Sequence, residues 1–165
     1  MSNRVVRIVR LVSGSLLALT ALAMTGTAIA QAVDGGYRIF KPDGPGTHPA
    51  VVFLSGCSGF TPSFAPDNYV RRAEPLRELG FVVVWVDYLG KRNLKSCGGG
   101  GVTQREAGQD AVAAATWLRS QPYVDAKRIS ALGWAYGGGA VLAALASHSA
   151  DELVFSRAIV YYPYC

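Results

Sequence analysis

The segment Gly133-Trp134-Ala135-Tyr136-Gly137 places a glycine two residues to either side of Ala135. It lies between an apolar run, Ile129–Leu132, and a stretch of small residues, Gly138–Ser147. Strand, tight turn and helix with this glycine spacing form the layout of a nucleophile elbow, G-x-S-x-G. In that layout a strained central residue holds its side chain over the end of a sheet, ready to attack a carbonyl carbon. Ala135 has only a methyl group, so the layout is present without its nucleophile. Cys57 is a second candidate, because an exported thiol can react, but no base accompanies it in the sequence. His48 lies in a turn dense in Gly and Pro and reads as a solvated loop histidine. His148 follows the elbow helix, roughly 15–20 Å from the elbow at 1.5 Å per residue, too far to serve as its base. The three cysteines fit no zinc spacing, and no metal or cofactor is expected. A phosphate or dinucleotide cradle is a third possibility for a glycine-rich strand–helix turn. Gly133–Gly139 matches neither G-x-G-x-x-G nor G-x-x-x-x-G-K-[ST], and the lysine is missing.

The elements that would hold such a turn follow from hydrophobic pattern. Ala50–Leu54 is a continuous apolar run, the mark of a strand covered on both faces, and Phe81–Tyr88 reads as a second buried strand from its β-branched run. Ala158–Tyr162 reads as another buried strand, and Tyr37–Phe40 as a short one. A helix is expected from Pro66 to Leu79, with Val70, Ala73, Leu76 and Leu79 on one stripe and Pro75 inside it. Thr103-Gln104-Arg105-Glu106 resembles a capping box and opens a helix with Ala107, Ala111, Ala114, Ala115 and Leu118 as its buried stripe. Alternating strands and helices predict an α/β fold with a mostly parallel sheet and helices on both faces. Ligand sites in such sheets sit at the carboxyl ends of the strands. The Ser55 turn, the Asp87 loop, the Ala135 elbow and Pro163 all fall at that rim.

Composition sets outer bounds. The 165 residues suit one domain, and 50% hydrophobic content supports a packed core. The net charge of +5 includes Arg4, Arg7 and Arg10 and falls to +2 without them, so nucleic acid is not an expected partner. Residues 1–30 read as a secretory signal: a positive start, an uncharged apolar stretch from Leu11 to Met24, and Ala28-Ile29-Ala30 before Gln31. Localisation is then periplasmic or secreted, with residues 31–165 as the exported domain. Membrane association is expected only if the segment stays uncleaved. In an oxidising compartment two of Cys57, Cys97 and Cys165 are expected to bridge; three separate thiols are the other outcome.

Taken together, Val51–Gly59, Asp87–Cys97 and Asp125–Ala144 resemble the α/β-hydrolase superfamily, and most of all the exported members of the dienelactone hydrolase family. The likeness covers most of residues 36–165. The resemblance implies a partial α/β-hydrolase fold and hydrolysis of a carboxylic ester or lactone. It puts the nucleophile position at Ala135 and the oxyanion hole at the backbone N–H groups of Tyr136 and Cys57. Ser55 stands where the family often carries His. Lys91 and Arg92 sit where a cation could hold a substrate carboxylate. The resemblance also implies cysteines at both Cys97 and Cys165 and so selects these two as the bridge.

The family's Asp and His are expected beyond Cys165, which makes this sequence an N-terminal part of such a domain. Without the triad only a residual rate is expected, on the order of 10³–10⁴ over water. The chain is therefore expected to be a truncated or variant hydrolase, inactive as written. The alternative is a non-catalytic secreted protein that binds a small ester, lactone or carboxylate in the old cleft. With Ala158–Tyr162 as the last strand, self-association through its open edge is also expected.

Overall fold

The structure is a computed structural model. It describes residues 31–33, 36–60, 69–149, 152 and 154–164. Residues 1–30, expected as a signal, and Cys165 lie outside these residues. Six strands form one sheet: β1 (Gln31–Val33), β2 (Tyr37–Phe40), β3 (His48–Leu54), β4 (Val82–Val86), β5 (Val124–Trp134) and β6 (Arg157–Tyr161). Three helices connect them: α1 (Val70–Glu78), α2 (Gln104–Arg119) and α3 (Tyr136–Ala146). The spatial order is β1-β2-β4-β3-β5-β6. β4, β3, β5 and β6 run parallel; at one edge β2 pairs antiparallel with β4, and β1 antiparallel with β2. The expected mostly parallel α/β sheet is the one observed, with β1 added.

Period-two alternation divides the sheet between two cores. Val52, Leu54, Val84 and Val86 face α2 and α3, together with Ala111, Leu118, Val141 and Ala144. Val51, Phe53, Val83 and Trp85 face the other way, toward Ala73 of α1. This is why β3 and β4 read as unbroken apolar runs: each neighbouring residue is buried, on alternate faces. Within α1, Pro75 is on the exposed side and the helix continues past it, with Leu79 N–H donating to Pro75 O at 3.0 Å.

β6 lies at the open edge expected of it, but its faces are less covered than its apolar run suggests. It reads as a buried strand, yet Ile159 is 53% and Tyr161 45% exposed. β5 lies on one side of it, and no described strand pairs with its other side. An apolar run alone does not distinguish a central strand from an edge.

Candidate functional site: the elbow and its facing turn

Ala135 joins β5 to α3 at φ 48°, ψ −116°, in the positive-φ region that side chains avoid. Holding a non-glycine residue there costs about 1–3 kcal/mol. Three hydrogen bonds fix it. Ala135 N–H donates to Tyr161 O at 3.0 Å, and Ala135 O accepts from Gly139 N–H at 3.1 Å and Tyr164 N–H at 3.0 Å. The end of β6 therefore clamps both sides of the elbow residue. The flanking glycines are required by close approach. A Cβ on Gly133 would collide with the Gly137 carbonyl, and one on Gly137 with the carbonyls of Leu54 and Ser55.

The Leu54–Ser55 contact brings the turn after β3 against the elbow. A Cβ placed on Gly56 would sit 3.5 Å from Ala135 Cβ and 3.1 Å from the Tyr69 hydroxyl. Several polar groups of this turn are already held. Trp85 Nε1–H donates to Ser55 Oγ at 3.1 Å, and Gly56 N–H donates to Tyr69 Oη at 2.9 Å. Tyr88 Oη–H donates to Gly56 O at 2.8 Å, with Ser55 O 3.0 Å away. Gly59 N–H also donates to Gly56 O, and Cys97 N–H donates to Cys57 O at 3.3 Å. Neither Cys57 N–H nor Tyr136 N–H has an acceptor among the described residues. Tyr136 opens α3, where the first N–H groups have no intrahelical partner. Its side chain turns into the core and its hydroxyl donates to Val102 O.

The disulfide differs from expectation. Cys97 is joined to Cys57, with Cα atoms 4.8 Å apart, and not to Cys165. The observed pair joins the turn after β3 to the loop after β4. The bridge leaves Cys57 without a free thiol, which removes it as a nucleophile. Closing a loop of 40 residues contributes about 4 kcal/mol in the chain-entropy account.

Lys91 and Arg92 also require correction. They lie on a 3₁₀ turn, Gly90–Arg92, and both bind the buried carboxylate of Asp110 on α2. Arg92 reaches it at 2.6 Å and also donates to Tyr88 O at 2.8 Å. These cations fasten the β4–α2 loop to the helix and do not stand free to receive a substrate carboxylate. The partner is 18 and 19 residues away in sequence, so spacing gave no sign of it.

The two histidines lie elsewhere. His48 begins β3, at the end of the strand opposite the elbow, beside a cavity of 310 Å³ lined by Asp43, Arg77 and Glu78. Its Nε2 is buried without a partner among the described residues. His148 follows α3 and its Nδ1 lies 2.8 Å from Ala144 O. No group of three or more potential metal ligands occurs among the described residues.

Comparison with known proteins agrees with this geometry. The model of the prolyl oligopeptidase family matches residues 68–164, which include the elbow, all three helices and three of the parallel strands. The chain belongs to the prolyl oligopeptidase family. Its α/β-hydrolase fold is shared by dipeptidyl peptidase 4 of Porphyromonas gingivalis, 28% identical, over 77% of this chain and 18% of that one, with a TM-score of 0.54. It is shared by an esterase of Thermogutta terrifontis, 25% identical, over 77% of this chain and 48% of that one, TM-score 0.54. A dienelactone hydrolase-like promiscuous phosphotriesterase from metagenomic libraries is 20% identical over 77% of this chain and 53% of that one, TM-score 0.59. The dienelactone hydrolase resemblance thus holds at the level of fold. This prolyl oligopeptidase family chain spans about half or less of the length of these proteins. No curated protein matches it.

Proposed function

We propose that this chain carries the acyl-binding half of a hydrolase site of the esterase or peptidase type, acting on a carboxylic ester or lactone. The observation that carries the reading is the strained Ala135 at the centre of the elbow, facing a turn in which Cys57 N–H has no acceptor among the described residues. Cys57 N–H and Tyr136 N–H would together hold an oxyanion or a carboxylate. Backbone donors do not depend on the side chain at position 135, so this half of the machinery outlives the loss of serine.

The other half is not supplied by these residues. Ala135 cannot attack, Cys57 is bridged, and both histidines of the sequence lie away from the elbow. The chain as written is inactive in this reading. A non-catalytic role, binding a small ester, lactone or carboxylate in the cleft of an exported protein, is the second reading. It is favoured by the same donors and by the disulfide, which suits a periplasmic or secreted setting. Residues 1–30 would then be the cleaved signal. The test is p-nitrophenyl acetate hydrolysis by the purified chain and by Ala135→Ser. Neither is expected to show saturable turnover above background. Strong turnover in Ala135→Ser would mean that a base does reach position 135.

A further inference from the structure

We propose that Tyr88 is a positioning residue for anion binding at the elbow, its hydroxyl aiming and polarising the Cys57 N–H. The inference rests on the reading of Cys57 and Tyr136 N–H as the anion donors. Tyr88 is fully buried at the end of β4, and its hydroxyl donates to Gly56 O at 2.8 Å. Gly56 O and Cys57 N–H belong to one peptide unit. That unit is planar and trans, so a partner that fixes the oxygen turns the N–H to the opposite side. A hydrogen bond accepted by the carbonyl also polarises the amide and strengthens its N–H as a donor.

The other bond to Gly56 O comes from Gly59 N–H, three residues along the same turn. That bond moves with the turn, whereas Tyr88 is fixed in the core. Burial pushes the Tyr88 hydroxyl far above its ordinary pKa, so it stays protonated and donating at neutral pH. The Tyr88 ring also stacks on the ring of Tyr136, with centroids 6.1 Å apart. One side chain thus touches both the Gly56–Cys57 peptide and Tyr136.

The test uses the full chain, ¹⁵N-labelled with its disulfide intact, titrated with phenylphosphonate as the anion. The proteins are wild type, Tyr88→Phe and Tyr37→Phe. Tyr37 is a partly buried tyrosine whose ring meets Trp117 and which makes no hydrogen bond to the turn among the described residues. In Tyr88→Phe, Kd is expected to rise about tenfold, equivalent to about 1.4 kcal/mol. The Cys57 amide is expected to lose its response to the anion while the Tyr136 amide keeps its own, and Tyr37→Phe should match wild type. In the free protein the Cys57 amide proton should move upfield in Tyr88→Phe alone. Wild-type Kd and an unchanged Cys57 amide in Tyr88→Phe would overturn the role of Tyr88. No response of either amide in the wild type would instead overturn the anion site itself. The free-protein Cys57 shift still reports the Tyr88 link in that case.

Discussion

At the residue scale the decisive feature is Ala135, which keeps an elbow conformation that its methyl group has no chemical use for. The strain is local and reversible by substitution. Glycine accepts φ 48°, ψ −116° without a Cβ penalty, though it adds entropy to the unfolded chain. Ala135→Gly is therefore expected to unfold in urea at the same or a higher midpoint. Ala135→Val, with a β-branched side chain at positive φ, should lose about 2 kcal/mol or more. A marked loss in Ala135→Gly would contradict the strained backbone. The elbow itself was legible in the sequence, because glycine spacing reports backbone geometry directly. The wiring around it was not. Tyr69 and Tyr88 read as residues of a helix start and a strand end, yet their hydroxyls hold Gly56 from two sides. Lys91 and Arg92 read as loop cations because Asp110, on the facing helix, carries no local mark as their partner.

At the scale of elements, α2 shows how local signals survive folding. Thr103 Oγ1 accepts from Glu106 N–H at 3.2 Å, and the Glu106 carboxylate accepts from Thr103 N–H at 2.7 Å. The Thr103 backbone N–H, and then its hydroxyl, hold the Glu106 carboxyl below its ordinary value of 4.5. A lowered folded-state pKa means the ionised cap stabilises the protein above that ordinary value. The contribution is lost as pH falls through the folded value. Glu106→Gln retains an acceptor but cannot titrate. Its unfolding midpoint should fall less steeply than wild type between pH 5 and pH 3, a window on the order of that ordinary value. An identical slope would exclude the cap as an acid-sensitive element. The capping box was readable from four residues. The open edge of β6 was expected, but its apolar run reads as buried, because exposure depends on what lies beside a strand in the sheet.

At the scale of the whole molecule, two apolar cores on either side of the parallel strands hold a rim where four loops meet. The chain order of strands and helices predicts that rim, since parallel connections bring every strand's carboxyl end to one side. It does not predict which cysteines meet there. The family resemblance selects Cys97 and Cys165, whereas the contact between the β3 turn and the β4 loop joins Cys97 to Cys57. The outer edge of β6, with Ile159 and Tyr161 exposed, is the expected site of self-association. Sedimentation velocity should show concentration-dependent dimers that Ile159→Lys abolishes. A wild-type monomer at every concentration would remove that proposal.

The most direct test of the elbow as an anion site is an amide-resolved titration of the wild-type chain with phenylphosphonate. Saturable, concerted shifts of the Cys57 and Tyr136 amide protons are expected. Saturable shifts confined to the His48 cavity, or no shift at either amide, would contradict it.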